Sequence, residues 1–180
     1  MNRGKFVIFL IFFTAIAVSI ASVWLRHRQM RHVLETFTAP VAQLIAYAPE
    51  AEILQLGTPS DEMVGKDRQI GAEEITIAHR IYPIMARKKV ESSRGFGKLR
   101  ADLVRDSNYT WPEPSDVVVE KVPAKWQYVL LLTDGKEQAR LAFSPDSCQM
   151  MLLDAVRIVS IDPICAATKE LLEEQFAKGR

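Results

Sequence analysis

The sequence predicts an α+β protein, in which an N-terminal transmembrane helix precedes one domain with a mainly antiparallel sheet and packed helices. Three observations lead to this prediction. An uncharged, mostly apolar run extends from Phe6 to Leu25. Strand-like runs joined by short turns fill the second half of the chain, which favours antiparallel neighbours. Asp162-Pro163 then opens a terminal apolar-striped stretch, as an N-cap residue followed by proline at N1 does.

The apolar run has the length of a membrane span. Its residues, at ~1.5 Å rise each, match the roughly 30 Å hydrocarbon thickness of a bilayer. Lys5 and Arg26 flank the run with charge. The predicted divisions of the chain are a short tail at 1–5, a transmembrane helix at 6–25, a membrane-proximal helical segment at 26–50 and a globular α+β domain at 51–180.

A cleaved signal peptide is the alternative interpretation of the same run. A basic start, an apolar stretch and the small residues of Ser19-Ile20-Ala21 fit such a peptide. The apolar run nevertheless continues through Trp24 and Leu25 without a polar region. Trp24 also precedes a basic stretch at 26–31, as an interfacial aromatic residue beside basic anchors does. We therefore predict an uncleaved signal-anchor, with cleavage and secretion as the alternative.

The orientation of the anchor depends on its two flanks. The amino end carries its own charge with Arg3 and Lys5, and the other flank carries Arg26, Arg28 and Arg31. Positive charge is retained on the cytoplasmic side, and these counts nearly balance. The short tail before a signal-like segment favours a cytoplasmic amino end. We predict a single-pass protein of the cell envelope whose globular domain is extracytoplasmic.

The segment after the anchor is predicted to contain two helices. The helical pattern continues to about Phe37, and Thr38-Ala39-Pro40 interrupts it, with Thr38 as the predicted cap of the next helix. An apolar stripe marks this second helix, which ends near Pro49. The stripe favours packing against the domain over a free linker. Its residues are Val41, Leu44, Ile45 and Ala48.

Two strands and a helix are predicted between residues 51 and 106. Ala51–Leu56 is a short strand, and the alternation in Glu74–Tyr82 predicts a second strand that carries His79 on its apolar face. A basic stretch after Pro83 leads into a helix at about 90–106. The buried side of that helix is predicted to consist of Phe96, Leu99, Leu103 and Val104.

The second half of the chain is rich in predicted strands and closes with a helix. Asp134-Gly135 centres a tight hairpin turn, and two further turns follow at 144–147 and 154–155. The terminal helix extends to about Lys178. Its predicted packing residues are Ile164, Leu171, Leu172 and Phe176. The predicted strands are 117–119, 126–132, 138–143, 148–153 and 156–161.

One layout in this half is shared with other domains. It consists of a strand that opens with an aromatic residue, a hairpin, a strand that reaches a turn with cysteine, another strand, and a helix that ends in phenylalanine. Residues 126–131, 140–143, Cys148 and 171–176 carry it, about a third of the chain. In this layout the chain resembles small uncharacterised bacterial α+β domains. Those domains have no assigned activity, so the resemblance implies a fold and no function.

Composition and charge are those of a folded globular protein. The chain is 48% hydrophobic and 25% charged, with a net charge of +1. These values exclude a disordered tail, and they indicate no nucleic-acid partner. The two cysteines, Cys148 and Cys165, make neither a zinc set nor a disulfide framework. A single bridge between them is permitted in an oxidising compartment, and the sequence leaves it open.

Cys148 and His79 are the residues on which an enzymatic function would depend. His79 alternates with isoleucines and is predicted to be buried, where a neutral histidine acts as a base or ligand near neutral pH. Cys148 follows a turn, and a Cys-His nucleophile would need the two residues to be close in space. The sequence supplies no flanking motif for either. A membrane-tethered enzyme is therefore the alternative function, and no catalytic, metal or cofactor site is predicted.

Seven basic residues between positions 87 and 105 form the candidate contact site. They face only Glu91 and Asp102, which leaves a local excess of five positive charges. A solvated face explains such a run structurally, whereas a domain held close to a bilayer would use it on anionic lipid or an acidic partner. We call these residues the basic cluster. They are Arg87, Lys88, Lys89, Arg94, Lys98, Arg100 and Arg105.

The function that the sequence favours is binding, assembly or scaffolding at a membrane. The predicted partners are the lipid bilayer, through residues 6–25, and another membrane or envelope protein. A second alternative places the domain on the cytoplasmic side, where the basic cluster would contact anionic lipid.

Overall fold

The computed structural model describes residues 3–61, 73–111, 125–155 and 157–177, with side chains from residue 11 onwards except at 26–29 and 60–61. Helix α1 (Arg3–Gln29) extends over 27 residues, and helix α2 (Arg31–Phe37) begins after a break at Met30. Every described side chain from 11 to 25 is exposed. Within the described part of the chain, no helix combines the length and the apolar character needed to cross a membrane.

Helix α3 (Ala39–Tyr47) follows α2 directly and confirms the predicted second helix. Pro40 lies in its first turn, where its missing N–H is not needed. The predicted side-chain cap by Thr38 is wrong, because its hydroxyl makes no cap hydrogen bond. Thr38 has a φ of 66°, and its backbone N–H donates to the carbonyl oxygen of Leu34. Thr38 therefore ends α2 through its backbone N–H, and its side chain does not cap the start of α3.

The strands pair in antiparallel fashion throughout, as the sequence predicts. The described strands are β1 (Glu50–Leu56), β2 (Ser60–Asp61), β3 (Glu74–Ile77), β4 (Arg80–Lys89), β5 (Tyr128–Thr133), β6 (Gln138–Ser144), β7 (Gln149–Leu152) and β8 (Arg157–Ser160). Their order in the sheet is β2-β4-β1-β5-β6-β7-β8, and β3 also pairs with β4. The predicted strand at 117–119 lies outside the described residues.

Both faces of the sheet are apolar and buried. Directly paired residues of neighbouring strands point to the same side, so the register assigns each residue to a face. One row joins Leu54, Val129, Ala142, Met151 and Ile158. The opposite face carries the row Ile53, Leu130, Leu141 and Leu152 and lies under the helices, so we call it the helix-covered face.

The helices add their apolar sides to the helix-covered face. Val33 and Phe37 of α2 and Ile45 of α3 are fully buried in the same cluster as Ile53 and Leu130. Burying side chains of this size contributes about 1.5–3 kcal/mol each. Residues 31–47 are therefore the first layer of the core, as the apolar stripe predicts.

The predicted strand at Glu74–Tyr82 is instead a hairpin. Strands β3 and β4 pair with Ile77 opposite Arg80, so Ala78 and His79 form a two-residue turn. Both residues have positive φ, 48° and 65°, as a type I′ turn requires. The period-two pattern of isoleucines continues across this turn, and the turn contains no glycine or asparagine. The sequence therefore does not reveal it. His79 is exposed at the turn and not buried on a strand.

Helix α4 (Phe96–Leu103) is shorter than the predicted helix at 90–106. The basic stretch before it belongs to strand β4, and Gly95 precedes the helix with a φ of 85°. A Cβ at Gly95 would lie 3.1 Å from Leu171 Cδ1, so conformation and close packing both favour glycine here. The predicted buried residues Phe96, Leu99 and Leu103 are confirmed. Val104, predicted on the same side, follows the helix as its C-cap and is half-buried against the core.

The C-terminal region follows the prediction closely. Short turns join β5 to β8, a 3-10 turn occupies Asp162–Ile164, and helix α5 spans Cys165–Ala177. The predicted capping role of Asp162 is wrong, because its Oδ2 accepts a hydrogen bond from Ser160 Oγ at 2.7 Å and makes no cap contact. Cys148 and Cys165 form a disulfide that ties the start of β7 to the start of α5.

Candidate functional site

Asp106 joins α2 to the rest of the domain. Its two carboxylate oxygens accept hydrogen bonds from the backbone N–H groups of His32 and Val33, each at 2.9 Å. These N–H groups lie in the first turn of α2, where the helix has no partner for them and where negative charge is favourable. A residue more than seventy positions away thus supplies the N-terminal cap, which local sequence patterns do not reveal.

Two aromatic residues hold the segment that carries Asp106. The buried hydroxyl of Tyr109 donates to the carbonyl oxygen of Leu103 at 2.6 Å, and burial, with a smaller contribution from Asp106, raises the pKa of this phenol. Trp111 Nε1 donates to the carbonyl oxygen of Asp106 at 3.0 Å. The Trp111 ring lies 5.6 Å from that of His32. The end of α4 and the start of α2 are therefore fixed to each other.

Arg100 joins α4 to the C-terminal end of α3. Its Nε donates to the carbonyl oxygen of Ile45 at 2.7 Å, and its Nη2 donates to those of Leu44 and Ala48 at 3.2 and 2.8 Å. Ile45 lies in the last turn of α3 and Ala48 is its C-cap residue, so their carbonyl groups lie at the end of the helix where a cation is favourable. The Leu44 oxygen also accepts the backbone N–H of Ala48. Partial burial lowers the pKa of the guanidinium, which remains protonated. Arg100 thus sets the spacing between α3 and α4.

A groove of about 680 Å³ lies between α2, α3 and α4. We call it the helical groove. It exists because the residues along it are short: Ala39, Ala42 and Ala46 on α3, and Gly97 and Ala101 on α4. A Cβ at Gly97 would meet no atom within 4 Å. The remaining lining residues are Met30, Leu34, Gln43, Tyr47, Arg100, Val104 and Arg105.

The structure distributes the basic cluster over both sides of the sheet. Arg87 pairs in register with Leu54 and therefore lies on the face opposite the helices, together with Lys89 two residues on. Lys88 pairs with Ile53 on the helix-covered face, and its Nζ donates to the carbonyl oxygen of Gln175 near the end of α5. The basic cluster is therefore not confined to one side of the sheet, although the predicted contact with an anionic surface stays a prediction.

Several members of the basic cluster have structural partners. Arg87 forms ion pairs with Glu52, at 3.0 Å, and with Glu73. Lys98 Nζ lies 2.7 Å from Asp102 Oδ2, and Arg105 Nη1 lies 3.9 Å from Asp102 Oδ1. Arg100 and Arg105 line the helical groove, and Arg94 is exposed beside Gly95. Among these residues, the two groove arginines combine positive charge with a concave surface.

Neither candidate residue for catalysis has the environment that the sequence predicts for it. The Cys148 sulfur is bonded to Cys165 and so offers no thiol. His79 lies exposed in the β3–β4 turn. In the described ranges, no group of three or more histidine, cysteine or acidic side chains is placed to hold a metal ion.

Comparison with known proteins identifies no relative of this chain. No family model matches the chain, and no curated protein or solved structure matches it either.

Proposed function

We propose that the chain is a single-pass membrane-anchored protein whose extracytoplasmic domain binds or scaffolds another membrane or envelope protein. The observation that carries this proposal is the surface of α1. Phe12, Val18 and Trp24 expose 63%, 63% and 59% of their area, and large apolar neighbours are exposed beside them. An exposed apolar surface of this extent marks a membrane or protein contact. The uncharged run Phe6–Leu25 favours the membrane.

The disulfide supports the extracytoplasmic side. Disulfides persist in oxidising compartments, whereas cytosolic thiols are kept reduced. Cys148 and Cys165 are the chain's two cysteines, and they are bonded to each other. A domain stabilised in this way fits the orientation in which the short amino tail stays in the cytoplasm.

The contacts of α2 support a scaffolding role. Asp106 binds the first turn of α2, and Val33 and Phe37 are buried in the core, so the domain holds the segment that follows Met30. A domain joined in this way stays close to the end of α1 instead of moving on a long linker. Such a rigid connection suits the presentation of a binding surface at a fixed height above a bilayer.

Alkaline carbonate extraction of native membranes tests the anchor. We expect the wild-type chain to stay in the pellet. The double variant Ile16→Arg/Val18→Arg should move to the supernatant, because an arginine at the centre of a span costs about 2.5–3.5 kcal/mol. The matched control is Ile16→Leu/Val18→Leu, which keeps the apolar surface and should stay in the pellet.

The same preparation separates the anchor from a cleaved signal peptide. Intact-mass measurement should show the full chain, including residues 1–25. Release of the wild-type chain by carbonate would contradict the anchor, and a mature amino terminus at Ser22 would establish cleavage instead.

A further inference from the structure

We propose that the helical groove binds one acyl chain of an anionic phospholipid, with the lipid phosphate at Arg105 and Arg100. This inference rests on the proposed membrane anchoring, because the lipid would come from the bilayer around α1.

The volume and lining of the groove fit an acyl chain. Its volume of about 680 Å³ lies in the range of small-molecule sites, about 300–1,000 Å³, which are mostly apolar with a few polar groups. Leu34, Val104 and the short side chains of α3 and α4 supply the apolar surface. Such a surface makes dispersion contacts with methylene groups, and it has few hydrogen-bond donors that would require a polar ligand as partner.

The charge of the groove fits a phosphate. Its lining includes two arginines and no aspartate or glutamate. Arg100 donates to carbonyl oxygens, which carry no net charge. Asp102 lies nearer to Lys98, at 2.7 Å, than to Arg105, at 3.9 Å. Guanidinium groups bind phosphate oxygens through strong charge-assisted hydrogen bonds. The two arginines also repel the cation of a zwitterionic headgroup, so the groove favours an anionic headgroup.

The position of the groove fits a lipid of the surrounding leaflet. Met30, the residue between α1 and α2, is part of its lining, so the groove begins where α1 ends. Tyr47 also lines it and is 70% exposed. An amphipathic ring of this kind is typical of the membrane–water interface. A helix of a partner protein is the competing occupant, but a specific protein interface needs more than about 1,000 Å² of buried area, which a groove of single-ligand size does not supply alone.

Photolabelling of the full chain in nanodiscs tests the proposal. The nanodiscs consist of phosphatidylcholine with a trace of phosphatidylglycerol that carries a diazirine on one acyl chain. Mass spectrometry then locates the adducts. We expect adducts in peptides that contain 39–47 and 97–105, in addition to adducts in the anchor at 11–25. A phosphatidylcholine tracer has the same phosphate, but its choline cation is repelled by the two arginines, so it should label the groove about tenfold less, which corresponds to about 1.4 kcal/mol.

Variants separate the apolar part of the site from the charged part. Ala101→Phe fills the groove from an exposed helical position and should remove most groove adducts, whereas Ala166→Phe, on the exposed side of α5, should not. Arg105→Gln should abolish the preference for phosphatidylglycerol and leave the anchor adducts unchanged.

The outcomes distinguish this inference from the proposed anchoring. Adducts confined to the anchor would overturn lipid binding by the groove and leave the anchor intact, whereas adducts nowhere in the chain would contradict both. Equal groove labelling by the two tracers would overturn the preference for an anionic headgroup. With p-benzoylphenylalanine in place of Gln43, a lipid-mass adduct supports the proposal, and a crosslink to a second protein chain overturns it.

Discussion

Replacing Leu172 by alanine is expected to lower the free energy of unfolding by about 2–5 kcal/mol, because the substitution leaves a cavity between α5 and the sheet. Leu172 is fully buried in the cluster that includes Leu130 and Phe143. Urea unfolding of the full chain in a mild detergent, followed by tryptophan fluorescence, measures the change. Glu170→Ala, on the exposed side of the same helix, is the control and should stay within about 0.5 kcal/mol of the wild type.

Removing the whole of α5 should have a larger effect. A chain that ends at Ile161 loses the buried side chains of Ile164, Cys165 and Leu172, together with the disulfide. At about 1.5–3 kcal/mol for each large side chain and about 3 kcal/mol for the disulfide, the loss is comparable with the whole stability of a small domain, about 5–15 kcal/mol. Cooperative unfolding of the shortened chain at the wild-type midpoint would show that α5 is not part of the core.

Replacing both cysteines by alanine is expected to lower the free energy of unfolding by about 3 kcal/mol. The disulfide closes a loop with a sequence separation of 17, and a loop of this length restricts the unfolded chain by about that amount. Urea unfolding with and without dithiothreitol measures the effect. The reductant should destabilise the wild type to the level of Cys148→Ala/Cys165→Ala and should leave the double variant unchanged. A wild-type midpoint that does not respond to the reductant would contradict a stabilising role.

The part of the sheet formed by the second half of the chain was predictable because short-range sequence patterns, the strands and the turns between them, determine it. The three turns that join β5 to β8 are short, and each strand lies beside its sequence neighbour. The pairing of β1 with β5 was not predictable, because the strands lie far apart in sequence and no local pattern fixes their register. The β3–β4 hairpin was missed for a different reason. Ala78 and His79 adopt positive φ without the asparagine or glycine that marks such turns.

Of the candidate site, only the positive charge of its arginines could be predicted from the sequence. The sequence identified Arg100 and Arg105 as basic residues of one segment, but it did not show that Arg100 binds the end of α3. Asp106 was included in a predicted helix, whereas it caps α2. Both contacts join residues more than fifty positions apart, so they depend on how the helices pack. The groove itself follows from short side chains on two helices, and this arrangement becomes visible only when the helices are placed together.

The thiol state of the protein in intact cells tests most directly whether the domain lies outside the cytoplasm. Cells are quenched with acid, and the full chain is treated with a maleimide of high mass, before and after reduction. We predict no shift in mobility before reduction and a shift corresponding to Cys148 and Cys165 after it, because an oxidising compartment preserves their disulfide. Modification of both cysteines before reduction would show that the domain resides in a reducing compartment and would contradict the extracytoplasmic orientation.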